Sequence, residues 1–336
     1  MPTIEAKVIC DSIGKHSPRL LTIRATNPKF IHQETLRHRT IYIEDALRGD
    51  YDFSFSVSSA RAIPFPKLLE EAMNPSTNAK PVKWGAEQKG MSPGDEVTDI
   101  ESAIRIWNSA AADAGMHAAR LAEVGVHKSI CNRIIEPYIH VHCLMTATEP
   151  GWMNFFGLRL DEAADPTVRA LAEQCYIVWC DSTPTKLEPG QWHLPFIDDL
   201  TIETVVDMMT DHMRYNVPGA ATETSGDISR KVSVARCARL SYTSFETGRR
   251  STIEEDLALY DRLITSRPIH ASPAEHQATP DKKSWLEIPG SNTSIAEWEH
   301  LDQAGNLGPG WIQYRKTLPG EAVAKLPEGY IYGTNT

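Results

Sequence analysis

Nowhere in the 336 residues is there a run approaching the roughly 20 apolar residues that a bilayer-spanning helix requires. The opening stretch, MPTIEAKVICDSIGKHSP, has neither the basic start nor the apolar centre of a secretory leader. Excess positive charge is also missing: 34 Lys+Arg stand against 44 Asp+Glu, a formal net charge of -10. Nucleic-acid binding rests on surplus Lys and Arg, so this balance argues against such a partner while leaving room for a local basic pocket. Cysteine is sparse. The six residues Cys10, Cys131, Cys143, Cys175, Cys180 and Cys237 form no CxxC pair and no zinc-ligand spacing. The expectation is therefore no metal, reduced thiols and a cytoplasmic chain, bacterial or in a host cytoplasm if phage-encoded. No repeat, low-complexity tract or flexible linker divides the sequence. A single domain over residues 1–336 is expected, with 41% hydrophobic residues to build its core.

What is present reads as one α+β unit. Apolar and polar residues alternate around 6–10 and 20–25, predicting two strands. Residues 53–61, FSFSVSSAR, are Ser-rich and read as a structured loop, and 74–96 as an exposed one. A helix begins within 68–73. From 99 to 124 the apolar positions Ile100, Ala103, Ile104, Trp107, Ala110, Ala111 and Ala114 recur at helical spacing. Further helices are expected at 128–135, where the Glu136-Pro137 pair ends the run for want of an N–H, and at 166–178, with Pro166 in the first turn. Others follow at 200–214, 226–240 and 252–265, the last opened by Thr252 and Glu255 as a capping box. The Pro-rich stretch 181–196 reads as a connection and the tail 277–336 as loop-rich.

Several clusters carry chemistry. Arg37-His38-Arg39 places three cation-capable side chains together, either as a solvated basic turn or to hold an anion. Ser54, Ser56, Ser58, Ser59 and Arg61 make either a phosphate cradle or an ordinary Ser-rich turn. Arg159 ends an apolar segment containing Trp152, Phe155, Phe156 and Leu158. A guanidinium is costly to bury alone, so it either pairs with a structural carboxylate or faces an anionic ligand. His270-Ala271-Ser272-Pro273-Ala274-Glu275-His276 holds His, Ser, Glu and His within seven residues. Sequence neighbours rarely meet triad geometry, and a two-histidine metal site lacks an evident third ligand.

Taken together, these blocks resemble the flavin-dependent thymidylate synthases. The family's Arg-His-Arg tripeptide followed by Ser-x-Arg is matched by Arg37-His38-Arg39 and Ser59-Ala60-Arg61. SSARAIPF at 58–65, KPVKWGAEQKGM at 80–91, NRIIEPYIH at 132–140, TATE at 146–149 and NFFGLR at 154–159 resemble its phage and bacterial branch. ARLSY at 238–242 and HASPAEH at 270–276 resemble a segment that most members carry before Arg-His-Arg; here it follows, as in a permuted branch. The likeness touches most of residues 25–280. It implies an antiparallel sheet packed with helices, a homotetramer, and FAD held between chains. By matched position, Arg37, His38, Arg39, Val57, Thr148, Glu149, Asn154, Ser272 and Glu275 would meet FAD, with Ser241 a weaker candidate. Glu34, Arg37, Ser58, Ser59, Ala60, Arg61, Arg133 and Arg159 would hold dUMP, with Arg159 catalytic at the uracil ring. The reaction implied takes a hydride from flavin reduced by NADPH and a one-carbon unit from methylenetetrahydrofolate. The sequence departs from the family at 40–52, an insertion, and at Ser56-Val57, where Asn-Glu is common. It also has Ala163 where many relatives carry a flavin-side His, and Pro150-Gly151 appears inserted before Asn154. The Ser56-Val57 change opens a second reading, a flavin enzyme modifying another pyrimidine deoxynucleotide such as dCMP. A third is a non-catalytic nucleotide-binding homologue.

Overall fold

The computed structural model describes residues 4–36, 40–42, 49–59, 61–214, 223–241, 248–266, 269–287 and 294–322. The expected alternating runs become β1 (Glu5–Gly14) and β2 (Leu20–Pro28), paired antiparallel with an irregularity between Val8 and Cys10. A short helix α1 (His32–Thr35) follows, then β3 (Thr40–Tyr42) and β4 (Gly49–Tyr51), which pair with each other. Next come β5 (Ser54–Val57), α2 (Phe65–Met73), α3 (Ile100–Glu123), α4 (Lys128–Ile134), β6 (His140–Thr148), α5 (Glu149–Arg159), α6 (Pro166–Asp181) and β7 (Thr185–Leu187). The helices α7 (Asp199–Arg214), α8 (Ser225–Arg239) and α9 (Ile253–Ile264) lead to β8 (Ala278–Pro280), β9 (Lys283–Glu287), β10 (Ser294–Trp298), β11 (Trp311–Gln313) and α10 (Tyr314–Thr317). No helix among the described residues is long and apolar enough to cross a membrane.

Five strands form the central sheet in the order β5-β6-β2-β1-β7, antiparallel except where β7 runs parallel to β1. One face is the main core. Leu21, Ile23 and Ala25 of β2 and Cys143, Met145 and Ala147 of β6 pack against α5 and α6, where Trp152, Phe155, Val168 and Leu171 are buried. The other face is mixed. Leu144 meets Phe196, Cys237 and Leu240, and Leu20 meets Ala278, Leu307 and Trp311, with a polar row between them. A smaller core joins Leu68 and Ala72 of α2 to Ala118 of α3, Ile135 and Ile139.

Three expectations change. Residues 53–61 are not simply loop, because Ser54–Val57 is an edge strand. Phe53 enters the main core, its ring 4.7 Å edge-on from Trp152, while the alternate residues Ser54 and Ser56 turn to the polar face and find hydrogen-bond partners there. The alternation FSFSV is thus a period-two strand whose inner polar positions are serines. The tail from 277 is not loop-rich throughout: β8 pairs with β11 and β9 with β10, and Trp311 is completely buried. Covering Leu20 with apolar surface requires that order. The 74–96 loop is pinned rather than exposed throughout, since Asn78 and Ala79 are buried and Trp107 Nε1 donates to the Ala79 carbonyl at 2.9 Å. The seven expected helices lie within a few residues of expectation and the Thr252–Glu255 capping box is formed, whereas α5 was read only as an apolar segment.

Candidate functional site

The end of the sheet where β5 stops and β6 starts gathers the first group of candidate residues. Pairing of β5 with β6 continues one step beyond Val57: Ser58 N donates to the His142 carbonyl at 2.8 Å, and Ser58 Oγ accepts from His142 N at 3.0 Å. The chain then turns. Ser59 Oγ accepts from Arg61 N at 3.2 Å, and the Ser59 carbonyl accepts from Ala62 N at 2.9 Å. Helix α4 is laid against this turn, with Lys128 Nζ donating to the Ala62 carbonyl at 3.1 Å and Asn132 Nδ2 to that of Ile63 at 3.5 Å. Arg133, next to Asn132 in the last turn of α4, is exposed, as are Ser59 and Arg61; Ser58 is half-buried. Hydroxyls, the Lys128 ammonium and the Arg61 guanidinium at one turn, with Arg133 next to Asn132 on the adjoining helix, are donors of the kind a phosphate monoester needs. Ala60 lies outside the described residues.

Arg159 ends α5, and its Nη2 donates to the Glu34 carbonyl at 2.9 Å. Its Nε is buried with no hydrogen-bond partner. Of the two readings the sequence left open, a structural carboxylate is not what Arg159 has among the described residues. Its contact instead ties NFFGLR to the segment running into Arg37-His38-Arg39, three residues that themselves lie outside the described set.

The flavin-side candidates are dispersed. Thr148 and Glu149 stand at the far end of β6, six residues from His142, or about 20 Å at ordinary strand rise. Thr148 is buried and its hydroxyl donates to the Leu307 carbonyl at 3.1 Å; Glu149 is exposed. Val57 packs against the main core. Asn154 is half-buried on α5, whereas Ser272 and Glu275 lie beside β5, where Ser54 and Ser56 present their hydroxyls to the opposite face. Ser272 is exposed. Glu275 pairs with Arg315, and burial pushes its carboxyl up while that guanidinium pulls it back. Ser241 closes the segment after α8 and is half-buried, its N–H donating to the Arg236 carbonyl at 3.2 Å. Thr148 and Glu149 are thus held away from the 58–61 turn by the length of β6.

A cleft of about 650 Å³ lies elsewhere, lined by Asp52, Glu275, Leu301, Asp302, Gly305, Asn306, Gln313, Arg315 and Lys316. Among the described candidates only Glu275 reaches it. Arg315 and Lys316 there are already paired with Glu275 and Glu321, so the 58–61 turn is the better anion site. Thiol chemistry has no foothold in the core. Burial pushes Cys10 up to about 11 and Cys143 up to about 12, and raises Cys175 and Cys237 as well.

The sequence did not mark Lys128, Arg315 or His193, and it named His276 only within HASPAEH; both histidines are fully buried and hydrogen-bonded. For Lys128 the signal was only its place on the same helix as Arg133, five residues before it.

No family model matches the chain, and no curated protein does. Among solved structures it is similar to a UMP/dUMP methylase, PolB, from Streptomyces cacaoi bound with 5-Br dUMP, at 16% identity and TM-score 0.41, covering 54% of this chain and 91% of that one. It is also similar to thymidylate synthase X from Helicobacter pylori with FAD and dUMP, at 16% identity and TM-score 0.30, covering 48% of this chain and 67% of that one. Both likenesses are remote.

Proposed function

We propose that this chain is a flavin-dependent thymidylate synthase, converting dUMP to dTMP by reductive methylation with methylenetetrahydrofolate as one-carbon donor and FAD reduced by NADPH. The motif order of the sequence is the basis of this reading. The observation that carries it is Arg159: a guanidinium with a buried, unpartnered Nε, drawn against the residues that lead into Arg37-His38-Arg39. A half-buried guanidinium with no carboxylate partner among the described residues suits an anionic ligand.

Within this reading, Ser58, Ser59 and Arg61 hold the dUMP phosphate, with Arg133 from α4 beside them and Glu34 and Arg37 close to the nucleotide. Arg159 stabilises the negative charge that develops on the uracil ring when a hydride is added. Bound reduced flavin supplies that hydride. Arg37, His38, Arg39, Asn154 and Ser272 are the residues proposed to hold it, with Val57, Thr148, Glu149 and Glu275 as further matched positions. Because Asn154 on α5 and Ser272 beside the polar face lie on opposite sides of the sheet, the flavin is proposed between copies of a homotetramer. Activation of uracil C6 by a cysteine is not invoked: the Cys143 thiol is buried and stays protonated.

The dCMP alternative rested on Ser56-Val57 standing where Asn-Glu is common, and Val57 packs against the main core. Ser56 Oγ lies 2.9 Å from His276 Nε2 in the interior, so the change does not alter a polar group facing the turn. The test is direct. Purified protein should be yellow and should oxidise NADPH faster with dUMP than with dCMP. Faster oxidation with dCMP transfers the proposal to that base, and a colourless protein that binds dUMP leaves only a non-catalytic role.

A further inference from the structure

Across the polar face of the sheet runs an unbroken row of side-chain hydrogen bonds. Ser56 Oγ lies 2.9 Å from His276 Nε2, and His276 Nδ1 lies 2.8 Å from Thr146 Oγ1. Thr146 Oγ1 is 2.7 Å from Thr22 Oγ1, which is 2.8 Å from His193 Nε2, and His193 Nδ1 is 2.9 Å from Ser12 Oγ. The row joins β5, the turn after HASPAE, β6, β2, the WHLPF connection and β1. Thr22, Thr146, His193 and His276 are all fully buried.

Proton counting gives the row a direction. A neutral imidazole has one N–H and one bare nitrogen, and a hydroxyl donates once. Two arrangements fill all five contacts without stranding a threonine proton inside the row, and in each of them fixing one proton fixes every other. If Ser12 donates to His193, the row ends on Ser56, whose own proton then has no acceptor among the described residues. If Ser56 donates to His276, the row ends on Ser12, which has Cys10 Sγ at 4.0 Å as a weak acceptor. The second direction leaves no hydroxyl stranded. It requires both histidines to carry their proton on Nδ1. Burial pushes both imidazoles down to about 3, so both are neutral near pH 7, as the counting assumes.

We propose that His193, within the otherwise unassigned WHLPF stretch, is a positioning residue: by accepting from Thr22 it turns Thr146 toward Thr22, holds His276 as the Nδ1–H form, and so fixes Ser56 and the strand that delivers Ser58 and Ser59 to the candidate nucleotide turn. Thr22 cannot donate twice. With its proton committed to His193, it must accept from Thr146, which in turn must accept from His276. The consequence for binding rests on the reading of the 58–61 turn as a dUMP site, but the tautomers do not.

Thr22→Val cuts the row at its centre, keeps side-chain shape, and alters no imidazole and no proposed ligand contact while removing the hydroxyl that meets His193; Thr22→Ser keeps the hydroxyl. Nitrogen-15 NMR of the histidine-labelled full chain should show bare Nε2 and protonated Nδ1 for both His193 and His276. In Thr22→Val, His276 should lose that preference and the Kd for dUMP should rise about tenfold, the scale of one hydrogen bond, with flavin content and kcat unchanged. Thr22→Ser should restore both. Protonated Nε2 on His276 in the unaltered protein, or an unchanged His276 in Thr22→Val, overturns the proposal. If the unaltered protein binds no dUMP, the nucleotide reading fails while the tautomer result still decides the row.

Discussion

At the scale of single residues, Arg159 carries the most consequence. Arg159→Ala should retain its flavin and lose roughly 3–4 kcal/mol of transition-state stabilisation, a fall in kcat of hundreds-fold, because a preorganised donor is removed where charge develops. Single-turnover rates on flavin-loaded protein check this, and near-normal rates remove Arg159 from its role. The buried histidines make a different prediction. Above pH 6.5 neither state protonates them. Below it the unfolded chain takes up protons that folded His193 and His276 refuse until about pH 3. Stability present above pH 6.5 is therefore lost as pH falls through that window, by up to about 1.4 kcal/mol per pH unit for each imidazole. Urea midpoints measured against pH should show this limb, and His193→Gln should shallow it; an unchanged slope contradicts neutral burial. Arg159 was legible because a guanidinium after Trp152, Phe155 and Phe156 conflicts with its surroundings. His193 and His276 were not, since nothing in WHLPF or HASPAEH tells that their rings meet the same pair of threonines.

Among the elements, those with strong local signals were readable. The long helix α3 has a sustained apolar stripe and an Asp99 cap that accepts from Ser102 N, and α9 has its Thr252–Glu255 box. Thr252→Ala should cost about 1 kcal/mol in thermal or chemical unfolding, because it strands orphan N–H groups of the first turn. A cost near zero means the box is idle. β5 was misread because serine counts as a loop residue until its acceptors are known, and these come from Glu275, His276 and Asn306, more than 200 positions away. The tail was opaque for the same reason. Gly308 marks how closely it docks: at φ 76°, an added Cβ would lie 2.2 Å from the Tyr51 ring. Gly308→Ala should lower stability by about 2 kcal/mol or more through both strain and overlap, with near-equal stability the contrary result.

For the whole molecule, the sheet separates two sets of candidate residues. Ser58, Ser59 and Arg61 stand at one end of β6 with α4 behind them, while Thr148 and Glu149 stand at the other. Composition and motif order conveyed the α+β class and the identity of these residues. They did not convey their distribution, because strand register and helix direction decide which motifs share an edge. The proposed enzyme needs a second copy to complete its flavin site, and its substrate turn belongs to a single chain. Release of tritium from C5-labelled dUMP tests the account most directly, since only substitution at that carbon liberates the label. The account predicts release and dTMP formation that require both methylenetetrahydrofolate and NADPH. Retention of the label by flavin-loaded protein supplied with all three substrates would contradict it.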